Sequence, residues 1–366
     1  MGSVKSNSIA RLRLEHQHLA APALGGPVEV VRALGAVQSQ DYAGAKWAIA
    51  QRIRRPTDAA IELAFTEGAI LRTHVLRPTW HFVLPEDARW MLELTAPRVH
   101  GAMAYYHRRH GLDAKLFRRS QAVLERTLQG GRQLTRAELS AALRHTGLDV
   151  TNERMGHLLM QAELDRVIIS GARRGKQFTY ALFDERVPTA PPRDRDAALE
   201  DLTRRYFATR GPATVQDFAW WSGLTVADAK RSVEIAAAFL ARDTHAGNTY
   251  WQSRSRRASR RLTHVAHLLP NYDEFFVGFK DRAAFAERLW HVSPKRRVDA
   301  LMGHIICVDG QVVGGWRRTV GKTVEVVLNL LVSLTARERD LARRAAERFG
   351  EFIGAPVHVR SRSAGR

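Results

Sequence analysis

Three times along this sequence, segments of helical periodicity are followed by a pair of short β-forming segments, and that order fixes most of what the chain can become. In the first pass, residues 8–20 read as a helix with Ile9, Leu12, Leu14 and Leu19 as core positions. Val28, Val31, Leu34 and Val37 then recur at helical spacing; a helix follows from Gly44 to Arg54, with Pro56 as its stop, and residues 58–67 make another. Two strands, 70–75 and 80–84, join across Arg77-Pro78. Helices ending in a hairpin are the order of a winged helix.

The order then returns. Residues 117–128 are helical, Thr135-Arg136-Ala137-Glu138 is a capping box, and Asn152 opens a helix through Met155, Leu158, Leu159 and Ala162. Strands at 167–170 and 177–182 flank the tip Arg173-Arg174-Gly175-Lys176, which reads either as a plain solvated turn or as a wing following phosphates. Behind a proline-rich linker at 188–192 come a helix at 199–209, capping signals at Thr214 and Thr225, and a hairpin turning at Ala246-Gly247-Asn248. The expected fold is mainly α with β-hairpin wings (α+β). Three winged helices cover 1–95, 96–187 and 193–253, and a strand-rich C-terminal α+β domain covers 262–366.

Charge says what such units would meet. The 366 residues carry a formal net charge of +20, which attracts polyanions and makes nucleic acid the leading partner. Part of the Arg excess over Lys also fits coding bias. Arg254, Arg256, Arg257, Arg260 and Arg261 form the densest basic run, either a phosphate-binding loop or a solvated linker, and Arg317-Arg318 lie in a segment that could present them on a hairpin. The lone Cys307 lies in an apolar run, so it reads as a core residue without a disulfide or thiolate metal site. No apolar run approaches the roughly 20 residues that a bilayer needs. A cytoplasmic, nucleoid-associated protein without a membrane partner is expected.

One short stretch carries the chemistry. Gln38-Ser39-Gln40-Asp41-Tyr42 sets two neutral amides two residues apart, on one side of an extended segment but on different faces of a helix. Alone, such a pair usually lies on the solvated surface. His74 and His81 lack further ligands at zinc spacing, so no metal is expected. His81 reads as a packed or DNA-facing residue, and as a weaker catalytic candidate. Asp273 and Glu274 are adjacent, point apart on a strand, and suit a salt bridge to Arg282 better than paired acid and base work.

Gln38-Ser39-Gln40, Leu76-Arg77-Pro78-Thr79-Trp80-His81-Phe82-Val83, Leu268-Leu269-Pro270-Asn271-Tyr272-Asp273-Glu274-Phe275, Val277 to Arg282 and Gly314 to Arg318 together resemble the AlkZ and YcaQ family of bacterial DNA glycosylases. The resemblance implies a C-shaped array of three winged helices and excision of alkylated purines, chiefly N7-alkylguanine. In the AlkZ branch it implies unhooking of interstrand crosslinks made by an alkylating natural product, in repair or self-resistance. The family motif is Gln, an aliphatic residue, Gln, with Asp last in the YcaQ branch. Gln38 and Gln40 match the AlkZ form, and Ser39 departs from the aliphatic middle.

The implied catalytic pair is Gln40, placing a water, and Gln38, positioning it. Asp41 either supplies negative charge near the developing cation or simply caps a helix. Arg77, Arg173, Arg174, Lys176, Arg256, Arg257, Arg260, Arg317 and Arg318 are the expected DNA contacts. A monomer without cofactor acts on double-stranded DNA carrying alkylated purines, as a monofunctional glycosylase. No deep pocket is expected at the glutamines, because a crosslinked base cannot leave the duplex. The alternative is a non-enzymatic winged-helix regulator, the commoner use of such units.

Overall fold

The computed structural model describes residues 6–255, 264–301 and 303–363. The chain opens with α1 (Ser6–His16), α2 (Pro27–Leu34), β1 (Val37–Gln38), α3 (Tyr42–Ala50), α4 (Asp58–Thr66), β2 (Leu71–His74) and β3 (Trp80–Val83). Pro27 suits the first turn of α2, where an N–H would have no helical partner, and Gly35 ends the helix at a φ of 77°, which disfavours a side chain. That break ends the apolar stripe one turn early. Val37, expected on the same helical face, instead begins β1, which joins a three-stranded sheet of order β1-β3-β2.

α5 (Pro85–Arg109) follows at once, runs for 25 residues and carries the chain past residue 95. No helix is assigned to this segment from the sequence, although Pro85 at its start, the acidic Glu86 and Asp87 in its first turn and a basic last turn are ordinary helix signals. Beyond it come α6 (Ala114–Leu128), β4 (Leu134–Thr135), α7 (Arg136–His145), α8 (Asn152–Leu164), β5 (Ile168–Ser170), β6 (Thr179–Leu182) and the short α9 (Phe183–Arg186). The sheet order β4-β6-β5 repeats that of the first region, the earliest strand lying beside the last. After the linker, α10 (Arg195–Arg210), α11 (Val215–Ser222) and α12 (Val226–Ile235) lead into a hairpin of β7 (Leu240–His245) and β8 (Asn248–Ser253). Both capping boxes form, Thr135 with Glu138 and Thr214 with Asp217.

The C-terminal region contains β9 (Ala266–Leu269), α13 (Glu274–Val277), α14 (Pro294–Leu301), β10 (Ile305–Val308), β11 (Gln311–Val320), β12 (Val324–Leu330), α15 (Ala336–Ile353) and β13 (Val357–Ser363). Its five-stranded sheet has the order β13-β12-β11-β10-β9, and β13 runs parallel to β12 because α15 crosses between them. Cys307 is buried in β10. No described helix is long and apolar enough to cross a membrane.

This sheet is welded to the first region rather than appended to the third. One apolar cluster runs from α2, α3 and α4 into β9–β12 and α15. The Trp47 indole N–H donates to the Leu268 carbonyl at 2.6 Å, and its ring meets Phe349 edge-on at 5.1 Å. A second cluster ties α1 and α5 to α10–α12 and to Phe275 and Phe279. Burying a side chain such as Phe275 contributes roughly 1.5–3 kcal/mol, so these contacts fix how the ends of the chain meet. They meet at the glutamines.

Candidate active site

Gln38 leaves α2 as a strand residue. It pairs with His81 across β1 and β3, and one step further the Ser39 N–H donates to the Trp80 carbonyl at 2.7 Å. The motif is therefore extended where it matters, and both glutamine side chains reach the single connection between β2 and β3. The Arg77 Nη2 donates to Gln38 Oε1 at 2.9 Å, while the Trp80 backbone N–H approaches Gln40 Oε1 at 3.4 Å. At that distance the second contact is weak. Gln38 is buried and Gln40 is exposed.

The connection is itself held tightly. Leu76 has a φ of 65°, and its carbonyl lies where a Cβ on Gly223 would fall, 1.9 Å away. Only glycine, itself at a φ of 70°, lets the turn between α11 and α12 come so close. Arg77 then bridges Gln38 to the Trp220 carbonyl at 3.3 Å, and burial lowers its pKa from the ordinary arginine value. Expected as a DNA contact, Arg77 is turned inward onto the motif.

Behind Gln38 stands a fully buried carboxylate. Glu274, at the start of α13, accepts the Gln38 backbone N–H at 2.8 Å on Oε1, and on Oε2 the Arg210 Nη2 at 2.6 Å and the Trp221 indole N–H at 2.9 Å. Arg210 also donates to the Leu34 and Ala36 carbonyls, so it fastens the end of α2 to the same group. Burial alone would raise the Glu274 carboxyl, but Arg210 and the other donors hold it below its ordinary value. Its neighbour Asp273 makes a two-point pair with Arg52 at 2.9 and 3.1 Å, with both side chains fully buried. The expected bridge to Arg282 is thus replaced by two separate pairs. A short helix capped by Asp273 sends the adjacent carboxylates to different arginines.

The other expected residues divide between internal and open positions. Asp41 caps α3, accepting the Gly44 N–H at 3.0 Å, and stands 3.9 Å from Arg318. His81 is enclosed: Nδ1 lies 2.9 Å from the Thr79 carbonyl, and burial, with the Arg77 charge, pushes its pKa down to about 3. It is neutral at physiological pH. Arg173 is paired with Glu62 and lies over Tyr42 and Phe178, and Arg174 is paired with Glu138, although it stays exposed. Lys176 and Arg317 are exposed, and Arg318 Nη1 lies 3.1 Å from His304 Nε2. Arg256, Arg257 and Arg260 lie outside the described residues.

The fold is that of a DNA glycosylase. The structure matches that of Streptomyces sahachiroi DNA glycosylase AlkZ with a TM-score of 0.78 at 20% identity, covering 98% of this chain and 100% of that one. A curated relative, the "Interstrand DNA cross-link repair glycosylase" of Streptomyces sahachiroi, is 24% identical over 330 residues, 83% of this chain and 85% of the relative. The chain belongs to the DNA glycosylase AlkZ-like family, whose model matches residues 31–352. It is an enzyme acting on N-glycosyl bonds, with DNA as its substrate, and the regulator reading falls away.

Proposed function

We propose that this enzyme hydrolyses the N-glycosidic bond of N7-alkylated guanine in duplex DNA, with bulky adducts and interstrand crosslinks among its substrates. The observation that carries the reading is the unequal environment of the two amides. Gln38 is held through both its backbone and its carbonyl oxygen, so its Nε2 has a fixed direction in which to donate. Gln40 is exposed, and its carbonyl oxygen is only weakly engaged. Gln40 therefore places the attacking water, and Gln38 positions water and sugar.

Such a pair suits this leaving group. An N7-alkylated guanine already carries positive charge, so departure of the base needs little acid assistance, and a carboxamide orients water without itself titrating. His81 supplies no proton, being neutral and enclosed. Asp41 is engaged at the cap of α3. Lys46, the lysine of the helix behind the motif, is bonded to Asp58 at 2.8 Å and Glu62 at 2.7 Å, which favours a monofunctional glycosylase over a Schiff-base lyase.

The repeated sheet order and the hairpin of β7 and β8 support three winged-helix units in a C-shaped array that holds the duplex as a monomer. The exposure of Gln40 and the relative's name, a cross-link repair glycosylase, support action on a lesion that stays in the helix. Duplex carrying a single N7-methylguanine, incubated with the protein and then heated in alkali, should break at that nucleotide and nowhere else. Intact strands after prolonged incubation, with both the methyl lesion and a bulkier N7 adduct, would remove the proposal.

A further inference from the structure

A cavity of about 550 Å³ lies between the first hairpin and α7, and shares the wall formed by Trp80 with the glutamine pair. Its floor is Arg72, on β2, which is only 7% exposed. The Arg72 guanidinium carbon lies 4.3 Å from the centre of the Trp80 ring and 4.5 Å from that of Phe178. The guanidinium thus packs against two aromatic rings. The Arg72 Nε donates to the Ser39 carbonyl at 3.2 Å, the peptide between the two glutamines.

No carboxylate pairs with Arg72 at ion-pair distance among the described residues, and burial lowers its pKa to about 10. The cavity wall adds Arg136, Arg144 and Lys176, and no acidic residue lines it. Arg144 and Lys176 are exposed and make no ion pair among the described residues. Arg136 is the first residue of α7, whose N-terminus is closed by the capping box of Thr135 and Glu138. The buried Glu163 carboxylate offsets part of the cost of burying Arg72, but it is bonded to His74 rather than to Arg72, and further cations around the cavity raise that cost. An anion entering the cavity would lower it, and a planar guanidinium takes a phosphate through two parallel N–H bonds.

We propose that this cavity binds one backbone phosphate of the damaged DNA close to the nucleotide under attack, with Arg72 gripping it from below and Arg144 and Lys176 from the rim. The proposal rests on the assignment of Gln38 and Gln40 as the reacting centre. Because Arg72 also holds Ser39, and Trp80 contacts both Ser39 and Gln40, the bound phosphate sets the register of the sugar against the motif. Arg72 is here a binding residue. Lys176 thereby acquires a specific target.

The test replaces phosphates around an N7-methylguanine one at a time by uncharged methylphosphonates, and measures both affinity and single-turnover cleavage. One position should cost roughly tenfold in affinity in the wild-type protein, the scale of a charge-assisted hydrogen bond. Lys176→Ala with Arg144→Ala, both at exposed positions, should lose about as much on the all-phosphate duplex and little more on the duplex neutralised at that position. Arg72→Lys, which keeps the charge and loses the fork, should weaken binding and show the same lack of additivity.

A flat phosphonate scan would overturn the proposal, as would losses that simply multiply. A scan with one sensitive phosphate and no cleavage would leave the pocket standing and remove the glutamine reading instead. Inorganic phosphate, compared with chloride at matched ionic strength, separates the sources. If it binds wild type and not Arg72→Lys while the phosphonate scan stays flat, the cavity serves a free anion and the DNA assignment fails.

Discussion

Gln38 and Gln40 stand on one short extended segment, and the protein treats them in opposite ways. Gln38 is buried, with its N–H on Glu274 and its carbonyl on Arg77, and Glu274 in turn gathers Arg210 and Trp221 from the far half of the chain. Gln40 is exposed, with one long contact to Trp80. The difference separates two tasks that a single catalytic pair must perform. One amide is fixed by the fold, and the other is left where water and DNA can reach it. Stability should therefore follow the first and activity both.

The largest effect should come from the support of Gln38. Glu274→Ala leaves Arg210 buried without its counter-charge, a change that costs about 3–5 kcal/mol. Urea unfolding should show it, and glycosylase activity should fall with it. A variant of wild-type stability would mean that Glu274 is not the group that ties the halves together. Arg77→Ala should act more selectively. It removes one charged hydrogen bond, worth about 1.5–3 kcal/mol in orienting the Gln38 amide, so cleavage should slow by roughly ten- to a hundredfold. DNA affinity should change little, and a loss confined to affinity would restore Arg77 to the role of a phosphate contact.

Much of this was legible in the sequence, but not the support. The hairpins, the capping boxes at Thr135 and Thr214, and the C-terminal strands all announce themselves through local signals that span a few residues. α5 did not, because Pro97 sits inside the helix and its buried side is set by tertiary packing, even though its acidic first turn and basic last turn suit a helix. The motif itself was visible from Gln38-Ser39-Gln40 and its resemblance. Glu274 lies 236 residues from Gln38, and nothing local says that the second of two adjacent acids meets the first glutamine. Arg77 and Arg173 are expected DNA contacts, the latter at a basic hairpin tip. Each also meets an acceptor from a distant element, Gln38 and Glu62, which no local signal announces.

Acid should expose a weakness of the buried side. His81 and His267 have folded pKa values pushed to about 3, and His107 and His304 to about 4, in each case chiefly by burial, against an ordinary value of 6.5. These imidazoles stay neutral in the native state while the unfolded chain gains protons below about pH 6.5. Their contribution is whole above that pH and is lost progressively as the pH falls toward 4 and 3. The melting temperature should decline across this window, and His81→Gln should flatten part of the decline. A smaller change is expected at Gly44, where a Cβ would come within 2.6 Å of the Asp41 carboxylate and 3.1 Å of Pro270. Gly44→Ala should cost about 1 kcal/mol through the lost cap of α3, read from the unfolding midpoint. Smallest of all, Gln40→Ala should leave stability within about 0.5 kcal/mol of wild type, as at other exposed positions.

The central claim is that the two amides carry out hydrolysis together. Single-turnover formation of alkali-labile sites in duplex containing N7-methylguanine, measured beside duplex affinity, addresses it directly. Wild type should cleave, and Gln38→Ala with Gln40→Ala should bind the same duplex nearly as well yet form abasic sites at least roughly a hundredfold more slowly, the scale expected when a group that positions a reactant is lost. Cleavage by the double variant at the wild-type rate would contradict the account and place the chemistry elsewhere in the molecule.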